Sequence, residues 1–263
     1  MCLFVATIVT GATGCRAKGD AATASASASA SASASASAAA PGPRPVGPFE
    51  EPFDGARKVY FVVPDRKRPA QRLIANLHGV CNPPGYACGY WVSAGSARGF
   101  LVCPEGNAKC GNNPQGPPTW TESHPKMDAD LEKAIATVDA AYPGEIGRDG
   151  SILTGFSLGA YAAATIARAH PGRWPYLILT EADVALDAAQ LRTAGVLGVA
   201  LIGGERGSQV AGQKRTVAKL VKQGFHAKVW VMKDAGHHYS ADIDTIMAEA
   251  MDFVLSAPKP DAQ

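Results

Sequence analysis

Short apolar runs alternate with longer segments of helical period through most of this chain. Residues 58–63 (KVYFVV) and 72–77 (RLIANL) each read as a strand, as does the run FLVC at 100–103. A helical stretch around 90–97 precedes that third run, and a loop rich in Pro, Gly and Asn follows it from 104 to 125. From 127 to 142, Leu131, Ile135, Val138 and Tyr142 recur at the spacing that keeps them on one helix face. Residues 151–154 form a short buried strand. An Ala-rich helix over 158–169 follows and stops at Pro171-Gly172. The alternation continues with strands at 176–180, 196–202 and 228–232 and helices at 186–192, 210–222 and 241–255. Gly224 suits the end of the middle one. Strand and helix taking turns in this way predict a mainly parallel sheet with helices on both faces. Ligands then gather at the carboxyl ends of the strands.

The first 48 residues do not fit that pattern. Residues 1–14 are apolar and small, and Ala12, Thr13 and Gly14 precede Cys15. This resembles the end of a bacterial lipoprotein signal, with Ala12 where leucine is usual. The resemblance implies cleavage before Cys15 and lipid on its sulfur. Ser and Ala then alternate from 24 to 40. Alanine offers too little apolar area to hold a core, so the alternation reads as a tether rather than a strand. PGPRPVGP at 41–48 stiffens its end. The expected organisation is a signal at 1–15, a tether at 16–48 spanning roughly 30 Å, a folded domain at 49–257 and a tail at 258–263.

Composition narrows the function classes. At 263 residues, 46% hydrophobic and 18% charged, the chain is long enough for one sizeable core. A net charge of +2 gives no electrostatic case for nucleic acid. No run reaches the roughly 18 apolar residues of a membrane span, so membrane contact is expected only through the lipid. No phosphate-binding or dinucleotide glycine pattern occurs. Arg66-Lys67-Arg68 reads as a solvated turn.

Of the six cysteines, Cys2 and Cys15 fall in the leader, leaving Cys81, Cys88, Cys103 and Cys110. An even remainder in an exported domain predicts two disulfides. The favoured pairing is Cys81–Cys88 with Cys103–Cys110, each closing a short loop. The rival is a four-thiolate zinc site, against which stand the six residues between the members of each pair. His78, His124 and His237 lack the spacing of a metal site, and no metal is expected.

The chemistry centres on Gly155-Phe156-Ser157-Leu158-Gly159, which follows a strand and opens a helix. Such a turn needs small residues on both sides of the serine and lifts its oxygen clear of the sheet. A nucleophilic serine needs a base. His237, in the loop after the last strand (Asp234-Ala235-Gly236-His237-His238-Tyr239), is favoured over His238 because Gly236 gives the loop room to turn.

On these residues the chain resembles the α/β-hydrolases. Gly155 to Gly159 matches their nucleophile elbow, Gly236-His237 their histidine loop, and Leu77-His78-Gly79-Val80 their oxyanion loop. The resemblance spans about residues 56–256 and looks nearest to compact secreted esterases of the dienelactone hydrolase and polyester-depolymerase kind. It implies an oxyanion hole from the Val80 and Leu158 N–H groups, with His78 a structural hydrogen-bonder. Each donor is worth roughly 3–4 kcal/mol in other hydrolases. The family's usual acid slot falls on Gly207. Glu205 is therefore the favoured acid, with Asp183 and Asp234 as alternatives. Trp120, Tyr90 and Trp91 are candidates to line an acyl pocket.

Three functions follow. The first is a cofactor-free serine carboxylesterase acting on a small or polymeric ester, with little or no cap over its site. The second is a peptidase or amidase with the same residues. The third is a non-catalytic envelope protein, suggested by the gap at Gly207.

Overall fold

The computed structural model describes residues 43–121 and 123–259. The leader, Cys15 and most of the tether lie outside them. The chain runs through β1 (Phe49–Asp54), β2 (Arg57–Val62), β3 (Gln71–Leu77), α1 (Pro84–Tyr90), α2 (Val92–Ser96), β4 (Phe100–Pro104), β5 (Ala108–Lys109) and β6 (Pro118–Thr119). It continues through α3 (His124–Ala141), β7 (Ile146–Phe156), α4 (Leu158–Ala169), β8 (Tyr176–Thr180), α5 (Ala188–Thr193), β9 (Gly198–Gly204), α6 (Gln209–Lys222), β10 (His226–Met232) and α7 (Ile243–Leu255).

Eight strands form one sheet in the order β1-β2-β4-β3-β7-β8-β9-β10. The β1/β2 and β2/β4 pairs are antiparallel and the remaining pairs parallel. Alternate residues of the central strands feed two cores, as the period of two requires. In β8, Leu177 and Leu179 pack on the face covered by α3, α4, α5 and α6. Tyr176 and Ile178 pack on the face covered by α1, α2 and α7. Helix α4 buries Ala160, Ala162, Ala163, Ala164 and Ala167. These small side chains let it lie close to the strands behind Ser157. Among the described residues no helix is long and apolar enough to cross a membrane.

Three expectations change. The domain's packing starts before residue 49. The Arg44 backbone N–H donates to Asp65 O at 2.8 Å, and its guanidinium lies 2.8 Å from the Glu145 carboxylate. The 104–125 segment contains a small β5–β6 hairpin and a 3-10 turn at Cys110–Asn112. The disulfides are Cys81–Cys110 and Cys88–Cys103, not the two local pairs. The physical reason is α1. It begins three residues after Cys81 and, about one turn on, lays Cys88 on its buried side, 6.2 Å (Cα to Cα) from Cys103 in the neighbouring β4. Cys81, just before the helix, is left facing Cys110.

Candidate active site

The site gathers at the carboxyl ends of four parallel strands. Ser157 directly follows β7, Glu181 follows β8, His78-Gly79-Val80 follow β3, and His237 lies in the loop after β10.

Ser157 is held at φ 52°, ψ −119°, a left-handed conformation that a side-chain-bearing residue rarely adopts. Its N–H donates to Thr180 O at 2.9 Å, tying the elbow to β8. The flanking glycines are required by space. A Cβ at Gly155 would lie 2.3 Å from Gly159 O, and one at Gly159 would lie 1.9 Å from Leu77 O. Gly79 is equally confined, because a Cβ there would meet the Phe156 ring at 2.9 Å and the Ser157 Cβ at 3.2 Å. Without a side chain, the 78–80 loop passes directly beside the serine.

His237 Nε2 lies 3.0 Å from Ser157 Oγ, and its Nδ1 lies 3.2 Å from Glu181 Oε2. The network assigns the proton to Nδ1, donated to the carboxylate, and leaves Nε2 to accept from the serine hydroxyl. Glu181 is fully buried. Its other oxygen accepts the Gly204 N–H, while its own N–H donates to Ile202 O at 2.8 Å. Desolvation is the largest influence on its carboxyl and raises its pKa. The Gly204 N–H and the His237 ring pull the other way.

Glu205 is therefore not the partner of His237. Its carboxylate accepts the Asp234 N–H at 3.1 Å, shaping the loop that carries the histidine. Asp234 pairs with Arg206 at 2.6 Å, and Asp183 faces Arg215 at 3.9 Å. Gly207 explains the displacement. A Cβ on it would lie 3.2 Å from Glu181 Oε2, so the space where the usual slot would project is filled by a carboxylate arriving from β8. The available signal was position. Glu181 directly follows the five buried residues of β8, as Ser157 directly follows β7.

His78 is buried, and its Nε2 accepts the Gly106 N–H at 2.9 Å while Nδ1 donates to Gly79 O at 2.7 Å. Burial lowers its pKa to about 4. Trp120 stacks on its ring at 4.9 Å and donates its indole N–H to His78 O at 3.0 Å. Trp120 and Trp91 are thus buried supports, whereas Tyr90 lines the cleft. A histidine kept neutral in the fold contributes stability that is fully present above pH 6.5 and lost as pH falls toward 4. Urea melts should show up to about 3 kcal/mol less stability at pH 4 than at pH 7 from this group. A His78→Gln variant should lack that portion of the acid slope, and an unchanged slope would refute the assignment.

The Ser157 hydroxyl opens into a cleft of about 480 Å³, lined by Val80, Tyr86, Tyr90, Phe156, His237 and Tyr239 among others. The Cys81–Cys110 disulfide anchors one rim, which brings the 104–125 segment beside the site. Among the described residues no cluster of metal-ligating side chains occurs.

No protein-family model and no curated protein sequence matches the chain. Solved structures do. Esterase PE8 is 22% identical with a TM-score of 0.52, covering 73% of this chain and 97% of that one. An S-formylglutathione hydrolase (FrmB) from Staphylococcus aureus is 10% identical at TM-score 0.54, covering 82% and 99%. A ferulic acid esterase is 13% identical at TM-score 0.54, covering 78% and 96%. At these identities the likeness is one of fold: the chain has the α/β-hydrolase fold, a mainly parallel sheet with helices on both faces.

Proposed function

We propose that this protein is a serine carboxylesterase working through an acyl-enzyme. The observation that carries the reading is the hydrogen-bonded line Ser157–His237–Glu181 on a strained elbow, at 3.0 and 3.2 Å. Ser157 Oγ attacks the ester carbonyl as His237 Nε2 takes its proton. The carbonyl oxygen becomes an oxyanion held by the N–H groups of Val80 and Leu158. The C–O bond to the alcohol then breaks, and His237 returns the proton to the leaving oxygen. Water, deprotonated by the same nitrogen, attacks the acyl-serine and releases the carboxylic acid. Glu181 fixes the imidazole tautomer and stabilises the imidazolium while it lasts. No step calls for a cofactor.

A carboxylate beside Gly207 and within reach of His237 weighs against a non-catalytic reading. Two disulfides favour an extracytoplasmic setting. In this proposal Cys15 carries the lipid, and residues 16–48 hold the domain off the membrane.

The test is covalent. A fluorophosphonate probe should add one adduct to the folded, disulfide-intact protein, and peptide mapping should place it on Ser157. A folded protein that takes no adduct would overturn the reading.

A further inference from the structure

We infer that the site takes esters carrying a neutral aromatic ring, which rests on a tyrosine shelf formed by Tyr86 and Tyr90. This deepens the esterase reading and depends on it.

The shelf is written into α1 as a repeat, Gly85-Tyr86 and Gly89-Tyr90, four residues apart. That spacing sets both rings on one helix face. Tyr86 and Tyr90 lie 4.9 Å apart between centroids. From them an aromatic row runs inward. Tyr90 meets Tyr239 edge-on at 5.6 Å, Tyr239 meets Phe156 at 5.1 Å, and Phe156 lies 5.2 Å from the His237 ring. The row therefore connects the open surface with the reacting centre.

The outer members are exposed, Tyr86 by 55% and Tyr90 by 41%. Six large apolar side chains are exposed among the described residues, and three of them, Val80, Tyr86 and Tyr90, line this one cleft. Such a concentration beside a nucleophile marks a binding surface rather than scattered exposure. Gly89 leaves it open, while Gly85 lets the helix approach Tyr60, whose ring a Cβ there would meet at 3.2 Å. A Cβ on Gly89 would meet nothing within 4 Å, and a second depression of about 220 Å³ lies along Gly85, Tyr86, Gly89 and Tyr90.

Charge decides the chemistry of the occupant. Among the described residues no lysine, arginine, aspartate or glutamate lines either depression. A carboxylated or phosphorylated group would find no lysine or arginine to pair with there, the basic side chains of the lining being the imidazoles of His237 and His238 at the reacting end. Planar rings gain on an aromatic face what saturated rings of equal size do not, because the tyrosine quadrupole favours offset and edge-on arrangements. The shelf is also stiff. Cys88, on the buried side of the same helix, is bonded to Cys103 of β4, so little ordering is needed on binding.

The experiment compares kcat/KM for ester pairs whose ring is set off from the ester by methylene groups, phenyl-bearing against cyclohexyl-bearing (benzyl against cyclohexylmethyl on the alcohol side, 3-phenylpropanoyl against 3-cyclohexylpropanoyl on the acyl side), so that the reactivity of the ester itself is matched. One series carries the ring on the acyl side and the other on the alcohol side. Fluorophosphonate labelling of the same preparation serves as reference. The phenyl ester should be favoured roughly 3- to 10-fold in at least one series, chiefly through KM. Tyr86→Ala/Tyr90→Ala should bring that ratio to about 1. Val221→Ala, at an exposed site on α6, should keep it. Labelling with no phenyl preference in either series would overturn the shelf and leave the esterase reading standing. So would a preference that survives the double substitution. Absence of labelling would overturn both.

Discussion

Glu181→Gln is expected to lower kcat/KM by roughly 10³- to 10⁴-fold, while Glu205→Gln stays within about twofold of wild type. The reason lies in where each amide would place its hydrogens. A glutamine at 181 would keep its oxygen on the Gly204 N–H, now bonded to the carboxylate, and turn its NH₂ toward His237 Nδ1. That nitrogen would then accept. The ring proton would move to Nε2, which faces Ser157 Oγ at 3.0 Å, and the base would be lost with the geometry intact. A glutamine at 205 still offers an oxygen to the Asp234 N–H. Stability separates this loss from misfolding. Burial raises the Glu181 pKa, so its contribution to stability is fully present below the ordinary carboxyl value near 4.5 and is lost as pH rises through the raised one. Glu181→Gln should accordingly melt no lower than wild type at pH 8. Equal damage from Glu205→Gln, or full activity in Glu181→Gln, would return the acid to the end of β9.

Gly159→Ala is expected to cost about 3 kcal/mol or more, a fall in Tm of roughly 6–12 °C for a domain of this size. The new methyl would sit 1.9 Å from Leu77 O and 2.7 Å from His78 O. Both are backbone atoms, so no side chain can swing aside. Either the first turn of α4 lifts or β3 retreats. Both movements separate the Leu158 N–H from Val80, so fluorophosphonate labelling should slow as well. Gly89→Ala is the comparison, since its Cβ would meet nothing within 4 Å. On a helix it should be neutral or gain up to about 1 kcal/mol. Similar melts for the two variants would show that the elbow has slack its geometry denies.

Most of the sheet was legible because buried parallel strands are short continuous apolar runs, and β3, β4, β8 and β9 fall on them within a few residues. Strand β1 (FEEPFD) was not, since three of its six residues are exposed and its central proline hides the pattern. Ser157 and His237 were legible because tight turns demand glycine nearby. Glu181 was missed for the opposite reason. It needs no special neighbour, and its φ of 54° is held by the Ser157 N–H on the preceding carbonyl, that of Thr180, and by hydrogen bonds to Ile202 and Gly204 rather than by its own residue type. The disulfide pairing was not legible because proximity along the chain is not proximity in space, and about one turn of helix before Cys88 reverses that order.

The corrected pairing has a topological effect. The Cys88–Cys103 link lies wholly inside the span closed by Cys81–Cys110, like one bracket within another. A single peptide-bond cut anywhere between residues 81 and 110 therefore frees no fragment. Between 88 and 103 the severed ends are still joined twice. An attacking protease that clips the exposed rim of the cleft would leave one covalent molecule, unchanged in mass apart from an added water and separable only after reduction.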